Sequence, residues 1–185
     1  TLDGKIGLKL IFDRPGENAL HRGDVVEIDF YGCKASRSAS PDAFTISGID
    51  ARENILSHRS GGQIPVKEKF ISELNDRDVN TYVTLKDVDI VFKDGSYYNV
   101  HEDCTVRMDG WASLMRDMQG RTIYMLLTNS CPWRRTGEDL PKGTGTLSGI
   151  IVHEQNRRYG PDMGRYSIRP VDETDIRIES DSSPW

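Results

Sequence analysis

Few side chains in this sequence are of a type and spacing that could do chemistry, and each group fails on spacing. His101, Glu102, Asp103 and Cys104 are adjacent, but consecutive residues of a strand point to opposite faces, so two at most could meet one ion. Asp87, Asp89 and Asp94 with Gly95 carry the carboxylates that calcium prefers. An EF-hand loop, however, needs its glycine and closing glutamate elsewhere. Cys33, Cys104 and Cys131 form no CxxC pair, and His21, His58, His101 and His153 share no ligand spacing, so no metal site and no cofactor is expected. There is no GxSxG elbow and no cysteine with an evident partner histidine. SGGQIP lacks GxxxxGK, and GTGTLSG runs into a strand in place of a helix. The expectation is a protein without catalytic residues, hence not an enzyme. Arg22, Gly23 and Asp24 spell the adhesive tripeptide RGD, but directly before a strand Gly-Asp is ordinary turn chemistry.

One constellation survives. Residues 121–169 hold eight Lys or Arg against four acids, a local charge of +4, whereas the rest of the chain holds sixteen bases and twenty-five acids. Tyr124, Trp133, Tyr159 and Tyr166 are interleaved with those bases and offer faces for stacking. The expected ligand-binding residues are Trp133, Arg134 and Arg135 from one connection and Arg157, Arg158, Tyr159, Arg165 and Tyr166 from the next. A charged strand edge that discourages self-pairing accounts for the same residues without a ligand.

The elements that must position these residues are mainly strands. Val26, Ile28 and Phe30 alternate with Glu27, Asp29 and Tyr31, the clearest period-two signal in the chain. Ile6, Leu8, Leu10 and Phe12 alternate in the same way, and AFTISGI follows a Ser-rich loop around Ser36 to Pro41. Residues 51–66 read as a connector with Gly61, Gly62 and Pro65. Val66, Phe70 and Leu74 fall at helical spacing, as do Trp111, Leu114, Met115 and Met118 behind a capping Asp109, so two short helices are expected. In TYVTLKDVDIVFKDG the apolar phase slips near Asp87, which predicts a bulge or a sharp bend. SYYNVHEDCTVRM, RTIYMLLTN, GTGTLSGIIVHEQ and RYSIRPVDETDI are further strands.

At 185 residues, with 36% hydrophobic and 29% charged side chains, the chain suits half-exposed sheets and two small units. The expected fold class is all-β with minor short helices, built from antiparallel Greek-key barrel units of the oligonucleotide/oligosaccharide-binding (OB) kind. Residues 1–62 would form a partial or smaller OB-like unit and residues 63–185 an OB-like barrel with a short inserted helix. The net charge of −5 argues against holding nucleic acid by bulk electrostatics. No apolar run approaches the roughly 18 residues of a membrane helix.

The order of HRGDVVEIDFYGCK and FTISGI, then IPVKEKFISELNDRDVNTYVTLKDVDIVF, then LPKGTGTLSGIIVHEQ and RYSIRPVDETDIRI, resembles an uncharacterised OB-like domain family of exported Bacteroidetes lipoproteins. The resemblance implies export to the periplasm or cell surface and a lipid anchor on a cysteine of a leader outside this chain. It implies OB-like barrels without known catalysis and carries no ligand residues. Together these readings predict a non-catalytic binding or interaction module with a glycan or protein partner; single-stranded nucleic acid is the alternative. The oligomeric state is not legible in the sequence.

Overall fold

A computed structural model describes residues 1–92, 97, 111–127, 131, 133, 137–153 and 164–179. Backbone contacts divide it into two compact units, Thr1–Val66 with Asn75–Tyr82, and Lys67–Leu74 with Val83–Trp185.

The first unit contains β1 (Leu8–Phe12), β2 (Val25–Ile28), β3 (Lys34–Ala39), β4 (Asp42–Ile49), the single helical turn α1 (Ala51–Asn54) and β5 (Ile55–Arg59). β4 lies between β1, which runs parallel to it, and β3, which is antiparallel; β2 and β5 make a separate antiparallel pair. Two expectations are corrected here. The Ser-rich stretch is strand β3, because small polar residues lose nothing on an edge whose side chains all face water. The connector at 51–66 contains α1 and β5: Asp50 caps the turn by accepting from the Arg52 and Glu53 N–H groups. Buried Asn54 then stitches the corner, donating to the Asp29 and Tyr31 carbonyls and accepting from the Asp50 N–H.

The second unit holds β6 (Glu68–Lys69), β7 (Tyr82–Ile90, whose first residue belongs to the first unit), β8 (Trp111–Asp117), β9 (Thr122–Leu127), β10 (Gly145–Val152), β11 (Ser167–Arg169) and β12 (Ile176–Ile178). The sheet runs β12-β10-β11-β9-β8-β7-β6, and β10 also pairs with β7. Five strands, β7-β8-β9-β11-β10, therefore close on themselves as an OB-like Greek-key barrel, with β6 and β12 as extra strands. The barrel is antiparallel except where β11 runs parallel to β9.

The slip near Asp87 is realised as a bend: Asp87 takes a φ of 54°, and the buried set shifts from Val83 and Leu85 to Val88 and Ile90. One strand thereby serves two stretches of barrel wall. Of the eleven largest fully buried side chains among the described residues, ten belong to this unit and one, Ile49, to the other. Each is worth roughly 1.5–3 kcal/mol of burial, so the barrel carries most of the apolar stabilisation.

Neither expected helix forms. Residues 66–74 contain β6, parallel to β7 through Glu68 and Lys69, and then a 3₁₀ turn at Ile71–Glu73. Three apolar residues cannot nucleate a helix when the backbone has a strand edge to pair with, and the Phe70 ring lies under the Lys86 ammonium, 4.5 Å away. Residues 111–117 are β8, hydrogen-bonded to β7 on one side and β9 on the other. Ser113, Met115 and Asp117 alternate inward, and Gly120 at φ 77° turns the chain into β9. RYSIRPVDETDI is likewise two strands: Pro170 ends β11, and a 3₁₀ turn capped by Asp172 leads into β12. The strand expected over SYYNVHEDCTVRM lies, but for Tyr97, outside the described residues, as do Asp109, His101 and Cys104.

Candidate functional site

In an OB barrel the outward face of the second and third strands, with the loops at its rim, is where extended polymers lie. Here those strands are β8 and β9. With Ile123 and Met125 buried inward, the outward positions are Leu114 and Arg116 on β8 and Thr122 and Tyr124 on β9. The register sets Leu114 against Tyr124 and Arg116 against Thr122, giving an apolar-aromatic pair beside a polar one. Tyr124 is half-buried, and Ser167 of β11 lies on its other side.

Arg116 pairs with Asp89 of β7 at 3.0 Å. Asp87, Asp89, Asp117, Met118 and Thr144 line a recess of about 380 Å³ around this guanidinium. Asp117 is 3% exposed: its Oδ1 accepts from the Gln119 and Arg121 N–H groups, and its Oδ2 is buried without a hydrogen-bond partner. The end of the face nearest the β8–β9 turn is thus acidic, although 121–169 as a stretch is basic. Charge summed along a chain does not report charge collected on a surface.

Of the eight expected site residues, the structure describes Trp133, Arg165 and Tyr166; Arg134, Arg135, Arg157, Arg158 and Tyr159 lie outside the described residues. The three do not form one group. β9 and β11 are parallel and β10 is antiparallel to β11, so the connection after β9 and the connection after β10 leave the barrel at opposite ends. Trp133, in the first, is half-buried and meets the Tyr97 ring edge-to-face at 5.8 Å. Burial, and then the Glu138 charge, push the Tyr97 hydroxyl up to about 12, so it stays protonated at neutral pH. Arg165 and Tyr166, in the second, lie together: the Arg165 Nε donates to the Tyr166 hydroxyl at 3.2 Å, and the Arg165 carbonyl is 2.7 Å from the His153 Nδ1. Sequence reasoning passed over Leu114 and Arg116 because it placed them on a helix. The inward alternation of Ser113, Met115 and Asp117 is the signal that identifies the strand.

The RGD tripeptide is a structural corner. The Asp24 side chain is 5% exposed and is held by the His21 N–H at 2.7 Å, the Ser60 hydroxyl at 2.9 Å and the His58 Nε2 at 2.8 Å. Gly62 N–H donates to the Gly23 carbonyl beside it. Cys33 and Cys131 are free thiols.

Nothing matches this chain among the family models, the curated proteins or the solved structures.

Foremost the His21 N–H, then the Ser60 and His58 hydrogen bonds, lower the Asp24 carboxyl to about 2. An unfolded aspartate titrates at about 3.9, so the folded state binds this proton more weakly. Its stabilisation is complete above about pH 4 and is lost as pH falls towards 2. Asp24→Asn should flatten that part of the acid unfolding profile, measured by circular dichroism. A profile as steep as that of the parent would remove Asp24 from the account.

Proposed function

We propose that this chain is a non-catalytic binding module that takes a neutral glycan along the outward face of β8 and β9, on an exported, lipid-anchored protein. The observation that carries the ligand class is the pairing of Tyr124 and Leu114 next to the acidic recess around Arg116. An aromatic ring and an aliphatic side chain make a platform for the apolar face of a sugar ring. The Asp87 and Asp89 carboxylates beside it accept hydrogen bonds from sugar hydroxyls. The same carboxylates repel phosphate, and Arg116 is already neutralised by Asp89, so this face is unsuited to a nucleic-acid backbone. Export and anchoring are supported by the order of strand and turn segments described above.

Full-length protein applied to an array of neutral oligosaccharides should retain one class of them, with an affinity that changes little with salt. Tyr124→Ala should weaken that binding by about tenfold, the worth of one stacked ring, while the far-ultraviolet circular dichroism shows the barrel still folded at the assay temperature. Retention of an oligothymidylate with steep salt dependence, and no retention of any glycan, would sink the reading.

A further inference from the structure

The sheet β1-β4-β3 of the first unit has two edges of opposite character. All six side chains of β3 are exposed, and they include Lys34, Ser36, Arg37 and Ser38, the polar, charged composition that keeps an edge from pairing. β1 reads LKLIF and carries one charge. Among the described residues it pairs with β4 alone. Leu8 is 37% and Ile11 43% exposed. Leu8 and Leu10 also border a cavity of about 540 Å³ that Val25, Ile28 and Phe30 line as well. The core of the unit is small: among the described residues its buried apolar side chains are Pro41, Ile46, Ile49 and Val79, and of these Ile46 and Val79 keep 8% and 6% of their surface exposed. Such a unit gains from any partner that removes more apolar surface from water.

We infer that β1 is the pairing edge for a second copy of this chain, the two β1 strands meeting antiparallel about a two-fold axis at Leu10. An open strand edge offers alternating N–H and C=O groups that only another extended backbone satisfies along its length. The charge on the strand selects the register. An axis at Lys9 would set two ammonium groups opposite each other, whereas an axis at Leu10 sets Lys9 against Ile11 of the partner subunit and Leu8 against Phe12 of the partner subunit. Like charges are avoided and apolar side chains meet across the seam. The contact is isologous and joins two three-stranded sheets into one of six strands, with β3 closing both outer edges. This inference is independent of the glycan reading, which concerns the other unit.

Sedimentation equilibrium of the full chain should show a reversible monomer–dimer equilibrium. Ile11→Lys puts an ammonium opposite Lys9 of the partner subunit at two symmetric places and should weaken dimerisation at least about tenfold. Ile11 is exposed, so the far-ultraviolet circular dichroism of the monomer should not change. Lys9→Glu combined with Ile11→Lys places opposite charges across the same positions and should restore dimerisation. A wild-type chain that is monomeric at every accessible concentration overturns the inference. So does association that survives Ile11→Lys, which places the interface elsewhere, or a double variant that fails to recover, which removes the register.

Discussion

Leu85→Ala should cost the barrel about 2–5 kcal/mol, the range for deleting a fully buried leucine and leaving a cavity behind. Leu85 has no exposed surface and stands on β7 just before the bend at Asp87. That strand pairs with β6, β8 and β10, so a void under it loosens both stretches of wall. The loss should appear as a lower urea midpoint at unchanged slope. Leu56→Ala is the control: Leu56 lies on β5 and is 60% exposed, and its truncation should stay within about 0.5 kcal/mol. If the two variants proved equally mild, the barrel would not be closed around Leu85.

Gly149→Ala should destabilise by about 1–3 kcal/mol, the usual cost of overpacking. The sign is the test, because replacing a strand glycine by alanine ordinarily gains about 0.5–1 kcal/mol. A Cβ at position 149 would collide with the Arg169 carbonyl oxygen and stand 2.7 Å from the Arg169 carbonyl carbon and 2.9 Å from the Pro170 nitrogen. All three are backbone atoms, fixed where β10 pairs with β11 through Ile150 and Arg169. No rotamer change relieves such a clash, so the strands must part at a seam of the closed barrel. At Gly16, in the exposed 3₁₀ turn Pro15–Glu17, an added Cβ would meet nothing within 4 Å. Gly16→Ala should therefore be neutral or mildly stabilising in the same urea titration. A stabilised Gly149→Ala would mean that β10 and β11 do not approach as closely as described.

Several elements were legible because their cause is local. The VVEIDF alternation became β2 as far as Ile28, and the slip at Asp87 became a bend, since an inward apolar set cannot stay inward across a left-handed residue without changing phase. Others were misread because the deciding partner is distant in sequence. Trp111, Leu114, Met115 and Met118 satisfy a helical period as well as Ser113, Met115 and Asp117 satisfy a strand period. The choice falls to β7 and β9, which offer hydrogen bonds on both sides of β8. For the same reason Phe70 belongs to a strand end and not to a helix face.

The candidate site divides along the same line. The basic and aromatic content of 121–169 is a property of the sequence, and so is the shortage of any spacing for a nucleophile or a metal. Which of those residues meet is a property of strand direction. A parallel pair between β9 and β11 sends the connections bearing Trp133 and Arg165 to opposite ends of the barrel, while Tyr124, Leu114 and Arg116 are brought together from two strands. The sequence by itself determined that the chain makes half-buried strands punctuated by turns, because period-two patterning and turn residues act over a few neighbours. Only the tertiary structure decided the closure of five strands, the pairing of β1 with β4 alone among the described residues and the face that Tyr124 shares, because hydrogen-bond pairing between distant strands is set by the packing of the whole barrel and not by local preference.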